Sequence, residues 1–455
     1  MNRRATITTV AAGLLVLSSA AANAAPPTDE QAGSGQFQFT PITNEVPCGP
    51  STPDRQPFVL PPGYAQTVIA SQPSYPDVPD MQTLNETGPE AGRYLYRTHE
   101  TNSNGALSVT DLETGQTTVL AQRPDWERFD GIVWTPWGTL LAAEETNAAA
   151  FPDPEVPQAK AGLVYEYFLD PHDPTKLDTS VNPTGLTPGV VPRPALGSKS
   201  HEGMRIDPQG NLYSISENAS GHIFRFVPDR RNDYSSGQLY SLNVTVPTGD
   251  RTGEAAWVPL DRTSVQVDAN VTAAPTTSYN RPEDVELATS TGNNNGGPGA
   301  NTLYVSVTQT PGEARVLGID LREPAGGAAH STAFVYDYVR AGVNAPDVPN
   351  VNEFEWPDNL ALDHSGNLFI AEDKPENELT PAGSTGDDVW VAQAQPGRPD
   401  QPAVSVVRFA ALKECGPEPT GIYFDNNGGV LYADVQHRGA PDDQDLTMAI
   451  TPPKG

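Results

Sequence analysis

The sequence predicts an all-β fold, a six-bladed β-propeller in a single domain, and three observations carry that prediction. A strand–turn–strand pattern recurs along the chain, apolar positions alternate inside it, and helical spacing is nearly absent among 46 prolines and 40 glycines. "FDGIVWTPWGTLLAAEET" (129–146), "HEGMRIDPQGNLYSISEN" (201–218) and "PDNLALDHSGNLFIAEDK" (357–374) share one plan. An acid opens an alternating stretch, a turn with Gly follows, and a second alternating stretch ends on an acidic pair or triplet. Weaker copies are "PEDVELATSTG" with "NTLYVSVTQT" (282–310) and "PTGIYFDNNGGVLYADVQ" (419–436). A half copy, "GRYLYRTHETNSNGALSVTDLETG" (92–115), keeps the second stretch and adds a hairpin after it.

Each copy reads as two antiparallel strands joined by a tight turn. A further strand follows most copies, as in "AGLVYEYFLD", "GHIFRFVPD", "EARVLGIDL" and "DDVWVAQA", which makes about four strands per unit. Counted from Asp130 the offsets are 72 to Glu202, 81 to Glu283, 75 to Asp358 and 62 to Thr420, so five aligned units and the half copy give six blades. Residues 25–60, rich in Pro, Gly and Gln, read as an extended lead-in, and residues 61–455 as the propeller. Strands from both termini are expected to close the ring. The segments 289–301 and 323–331 read as low-complexity loops without chemistry of their own.

The first 24 residues read as a cleaved signal peptide. Arg3 and Arg4 precede the apolar run Ala11 to Leu17, and Ala22-Asn23-Ala24 supplies a small-x-small cleavage site. A secreted or periplasmic protein follows, and no later run approaches the length of a membrane span. In that setting Cys48 and Cys415, the only two cysteines, are expected to form a disulfide, worth on the order of 5 kcal/mol as a clasp between the chain ends. The formal charge of −30 excludes nucleic acid as a partner, because phosphate backbones need a basic surface.

In a propeller the first strand of each blade lines the central channel, so Asp130, Glu202, Glu283 and Asp358 form one ring. The antiparallel second strand returns to the same mouth. It brings Glu144 with Glu145, Ser216 with Glu217, Thr308, Glu372 with Asp373, and Gln436 with His437, while the half copy adds His99 and Glu100. Two carboxylates about 5 Å apart repel by about 3 kcal/mol at an effective dielectric near 20. Hard cations relieve that repulsion, and oxygen-only sets rich in carboxylates suit Ca2+, with Fe3+ also accepting them. Taken singly, each acid also fits a simpler role in ending a strand, capping a turn or pairing with an arginine.

"RPEDVELA" (281–288) places Arg281 two residues before Glu283, on one face of an extended strand. An arginine beside a cation held by carboxylates makes a fork for a phosphate group. Alternatively Arg281 neutralises Glu283 or Asp284. His201 and His437 read as hydrogen-bond donors behind the ligands or as ordinary strand-end residues. The chain has no G-x-S-x-G elbow, no H-E-x-x-H, no phosphate loop ending in Gly-Lys-Ser/Thr and no C-x-x-C.

"WTPWGTLLAAEE", "SHEG", "RPEDVE", "WPDNLALDHSGNLFIAED" and "EPTGIYF…LYADVQH" together resemble the PhoX-type alkaline phosphatases, from about Tyr94 to His437. The resemblance implies a six-bladed propeller that hydrolyses phosphomonoesters with iron and calcium ions in its channel. It implies Glu202 and Glu283 as metal ligands and, with Arg281 holding phosphate, as the catalytic set. Glu144, Glu145, Asp358, Glu372 and Asp373 would stand in or near the calcium shell. The chain departs from the pattern at Ala143, where the iron-binding members carry a cysteine, and at Thr98, where an asparagine is expected before the His-Glu pair. The expected substrate is a small anionic phosphate ester and the expected state a monomer. A calcium-dependent lactonase or esterase, and a noncatalytic calcium-stabilised binding propeller, are the other two functions that fit.

Overall fold

The structure, a computed structural model, describes residues 37–51, 53–148, 152–287, 301–308, 314–322, 332–346, 354–374, 385–395 and 401–454. The predicted signal peptide 1–24, part of the lead-in, and nearly all of the two low-complexity loops lie outside these residues. The described residues form five antiparallel sheets.

Three sheets are simple meanders in chain order. One runs Pro79–Leu84, Tyr94–His99, Ala106–Asp111, Gln116–Gln122, and the next runs Phe129–Trp134, Thr139–Glu144, Val164–Asp170, Asp173–Leu177. A third runs Pro357–Leu362, Leu368–Glu372, Asp388–Gln393, Ser405–Leu412, with Phe58–Val59 added at its edge. The fourth sheet joins Glu418–Phe424, Leu431–Gln436 and Leu446–Thr451 to Ala65–Ser71 from the other end of the chain. Strands from both termini thus complete one sheet.

The remaining sheet has nine strands, because a five-strand set starting at Met204–Ile206 and a four-strand set starting at Pro282–Leu287 fuse through their outer strands. Gly253–Pro259 pairs with Thr332–Arg340 to make that join. The half copy proves to be complete, since Pro79–Leu84 supplies its first strand. One α-helix, Val265–Ala273, went unread in the sequence. It is short, holds two helix-disfavouring β-branched valines near its start, and breaks helical geometry at Asp268.

The first strands of the six sets touch in cyclic order: Pro79, Phe129, Met204, Pro282, Pro357, Glu418 and back to Pro79. Apolar clusters fill the spaces between neighbouring sets, as where Tyr96 meets Trp134, or Phe369 and Phe409 meet Phe424. Around the centre the approach is backbone-close. A Cβ on Gly131 would stand 1.9 Å from the Glu202 carbonyl oxygen, and one on Gly203 would stand 1.7 Å from Asp284 Oδ1. Elsewhere side chains bridge the gap. Asp284 accepts the Leu360 amide at 2.8 Å, Asn359 accepts the Gly421 amide, Gln82 donates to the Gly421 carbonyl at 2.7 Å, and Thr98 donates to the carbonyls of Met81 and Asp130.

Cys48 and Cys415 are joined as a disulfide with Cα atoms 5.0 Å apart. Backbone hydrogen bonds between Gly49 and the Lys413–Cys415 segment flank it.

Gly131→Ala is expected to lower stability by about 2–3 kcal/mol through overpacking against backbone that cannot move aside. Gly439→Ala, where an added Cβ meets nothing within 4 Å, should stay within about 0.5 kcal/mol of the parent. Equal denaturation midpoints for the two variants would contradict the close approach described above.

Candidate functional site: an acidic cavity at the strand starts

Five of the sets deliver side chains to the centre by the same local device. A residue at or shortly ahead of the first strand has a carbonyl that accepts an amide from one or two residues past the second strand. Glu100 donates to Val78, Glu145 to Arg128, Glu217 to Ser200, Thr308 to Arg281 and Asp373 to Trp356, at 2.8–3.1 Å. Val78, Arg128, Arg281 and Trp356 hold φ between 38° and 48°. Residues with side chains rarely adopt that left-handed region, and holding them there costs of order 1 kcal/mol or more each.

Pairing register then sorts the acidic pairs. Phe129 faces Glu144, Pro357 faces Glu372 and Pro79 faces His99 across the sheet. Side chains alternate along a strand, so the first member of each pair and the second diverge. The second members Glu100, Glu145, Glu217 and Asp373 line a central cavity of about 510 Å³. Asp80, Asp130, Glu202 and Asp358 from the first strands share it, together with Glu418. Glu283 is buried and belongs with them: Glu202, Glu217 and Glu283 each place a carboxylate oxygen within 4.8 Å of the others.

The first members do something else. Glu144 accepts the amides of Glu127 and Leu163, both at 3.0 Å, and Glu372 accepts those of Glu355 and Asp388 while meeting Trp390 Nε1 and Lys374 Nζ. These carboxylates staple the start of the first strand to the third. They do not line the central cavity, whereas Glu145 and Asp373, expected with them in or near a calcium shell, do. Ser216 and His99 fill the same structural place, Ser216 accepting the His222 amide and His99 meeting Ser108 Oγ at 2.8 Å. Burial and the nearby Arg97 push the His99 imidazole down to about 3. His201 is also buried, bonded to the Gly197 carbonyl, whereas His437 lines the cavity near Glu418.

Arg281 reaches Glu217 at 2.8 Å and Glu283 at 2.9 Å through Nε. These are ion-pair contacts whose angles fall short of hydrogen bonds, and Arg281 sits at left-handed φ rather than in the extended strand the sequence suggested. Arg128 mirrors it, 3.3 Å from Glu145. Ala143 packs among Val133, Leu141 and Met204 and does not line the cavity.

Burial drives the electrostatics. It raises Asp80, Asp130, Glu145, Glu202, Asp358 and Glu418 well above the usual carboxylate range, and the neighbouring acids push them the same way. Glu283 rises to about 8 from burial in spite of Arg281. Asp130 Oδ1, Glu202 Oε2 and both oxygens of Glu283 are buried and accept no hydrogen bond among the described residues. Such atoms call for a cation, and the surrounding donors are oxygens apart from the His437 ring. The donor set fits a hard cation.

Asp80 and Glu418 were missed in the sequence. Asp80 could have been found from its Pro79-Asp80 start, which matches Pro282-Glu283 and Pro357-Asp358. Glu418 lies one residue ahead of Pro419 in the unit whose ring position is Thr420, so no repeat position announces it.

Two outcomes follow. These carboxylates have folded values above their unfolded ones, near 4, so their contribution to stability is full below about pH 4 and lost as pH rises through the folded values, about 8 for Glu283. Without divalent cations the melting temperature should therefore fall steadily from about pH 5 to about pH 8.5; a rise over that window would contradict the burial of unpaired acids. Glu144→Ala should cost about 2–3 kcal/mol by stranding two buried amides, read by chemical denaturation, and an unchanged midpoint would rule out the stapling role.

The sequence of this chain matches the family described as alkaline phosphatase PhoX over residues 131–439. No curated protein matches it. Among solved structures it is similar to Pseudomonas fluorescens PhoX in complex with vanadate, at TM-score 0.62 and 17% identity over 90% of this chain and 98% of that one. Weaker likenesses, at TM-scores of 0.45 and 0.42 and 12% identity, are to the PQQ-bound aldose sugar dehydrogenase of Streptomyces coelicolor (86% of this chain, 100% of that one) and to a calcium-containing AA12 carbohydrate-active enzyme of Trichoderma reesei (87% and 97%). With well over half its length matched, this chain belongs to the PhoX alkaline phosphatase family.

Proposed function

We propose that this protein is a metal-dependent phosphomonoester hydrolase acting at the centre of a six-bladed propeller. One observation carries the reading: buried carboxylate oxygens without donors surround an arginine at the mouth of a single cavity. The cyclic contact of six first strands supports six blades in one domain over residues 61–455.

Ca2+ suits the donors, and Glu202, Glu217 and Glu283 would hold it, with Asp130, Asp358, Glu145 and Asp373 completing the shell. Fe3+ is compatible with the same carboxylates. A thiolate ligand is not, because both cysteines are in the disulfide. Bound cations would polarise the phosphoryl oxygens and offset charge that develops on them.

The chain's own residues supply the rest. Arg281 presents a planar fork of donors at the cavity, and Glu217 and Glu283 fix where that fork lies. Its donors would orient the ester and take up charge on the equatorial oxygens. The flanking carboxylates disfavour an anion until cations are bound, so substrate binding is coupled to metal loading. The disulfide fits an oxidising compartment and supports a secreted or periplasmic protein. The substrate is a small phosphate ester, and the protein works as a monomer.

Purified protein should carry stoichiometric metal when iron and calcium are counted separately by mass spectrometry. It should hydrolyse an aryl phosphate in a manner abolished by chelator and restored by the missing ion. Arg281→Ala should lower kcat/KM by about 100-fold or more, with Arg281→Lys recovering only part of it. Turnover of lactones but not phosphates would replace this reading with a lactonase, and bound calcium with neither activity would leave a binding propeller.

A further inference from the structure

Arg128 and Arg281 occupy the same place in two different sets of strands. Each directly precedes a first strand, each lies in the left-handed region at φ 38° and 48°, and each backbone carbonyl accepts the amide that follows the second strand. The same place holds Val78 and Trp356 in two other sets. The chain therefore spends this strained position on a guanidinium twice, both times at the one cavity.

The two arginines flank a shared pair of acids. Arg128 NH2 lies 3.3 Å from Glu145, Arg281 Nε lies 2.8 Å from Glu217, and Glu145 and Glu217 lie side by side. Both guanidinium side chains stay about one third exposed, at 35% and 34%, while the acids they touch are largely buried. Among the described residues Arg128 makes one aligned hydrogen bond, to Glu145, and stands 4.0 Å from Glu100. A guanidinium has five donors, and this one lines the cavity with its side chain about one third exposed. Pure charge balance would call for the guanidinium to be buried with its acids, as Arg97 is with Asp434.

We propose that Arg128 is a specificity-determining residue that binds a second anionic group, so that the preferred substrates are phosphomonoesters carrying another phosphate or a carboxylate near the scissile one. The proposal rests on the phosphatase reading: Arg281 takes the group that is cleaved, and Arg128 takes the one that is not. The cavity volume of about 510 Å³ falls in the range of small-molecule sites and exceeds what a lone phosphate fills.

The test compares Arg128→Ala and Arg128→Lys with the parent, all loaded with metal. A sugar bisphosphate and 4-nitrophenyl phosphate serve as substrates. The parent should favour the bisphosphate, and Arg128→Ala should lower the ratio of the two kcat/KM values about tenfold or more, chiefly through KM for the bisphosphate, with Arg128→Lys in between. An unchanged ratio, or a parent that does not favour the bisphosphate, overturns the proposal. Calorimetry with pyrophosphate and orthophosphate separates its failure from that of the phosphatase reading. If the parent hydrolyses neither ester, the phosphatase reading fails, and a selective loss of pyrophosphate affinity in Arg128→Ala still upholds the second-anion site. Equal loss of both ligands, or of neither, overturns it.

Discussion

Repulsion among buried carboxylates is the force the rest of this molecule is arranged to withstand. Nine carboxylates, four of them buried, line one cavity, buried Glu283 lies with them, and Asp130, Glu202 and Glu283 carry oxygens that accept no hydrogen bond among the described residues. At separations near 5 Å each pair costs about 3 kcal/mol at an effective dielectric near 20, which is a large share of a domain's whole stability margin. The acids cannot spread apart, because the strands that carry them are packed to backbone contact at Gly131 and Gly203. The apolar clusters between the sheets supply the opposing free energy. A cation held among the acids, as proposed above, would offset that repulsion.

The period of the β-strand lets one short motif serve both sides of that balance. In Glu144-Glu145 and Glu372-Asp373 the neighbours point opposite ways, so the first acid is consumed by backbone amides and the second is delivered to the cavity. Ser216-Glu217 and His99-Glu100 show that the first place needs only a side chain able to bond locally, whereas the second keeps a carboxylate in each of these four sets. Charge at the second place is thus a property of the cavity rather than of strand ends.

Much of this was legible in the sequence because the repeat carries register. Alternation with Asp-x-x-Gly turns marked the strands, and the equivalence of Asp130, Glu202 and Asp358 put those residues at one centre, where the structure finds them. What stayed hidden has a physical reason in each case. The register of Glu144 and Glu372 cannot be told from that of Glu145 and Asp373 without knowing where the bulge falls between Phe129 and Ile132, or between Pro357 and Leu360. The fusion of two sets into nine strands depends on the lengths of outer strands such as Asp233–Pro247, which no local pattern fixes. The backbone of Arg281 reads as extended in any strand template, and only the turn geometry of the folded chain reveals the left-handed residue.

The placement of the disulfide follows from the same repulsion. Cys415 lies three residues before Glu418, with Gly416 between them on the cavity wall, and Glu418 stands beside Asp373 and Asp80. This stretch links Ser405–Leu412 to Glu418–Phe424, so it sits where the third meander meets the sheet that Ala65–Ser71 and Leu446–Thr451 complete. A seam loaded with like charge is where a ring of strands would part first. The chain puts there a covalent bond, the buried pairing of Arg438 with Glu414, and the hydrogen bonds of Gly49 on either side of Glu414. By tying Cys48 in the lead-in to this stretch, the bridge adds chain-entropy stabilisation beside a part of the wall where like charges meet.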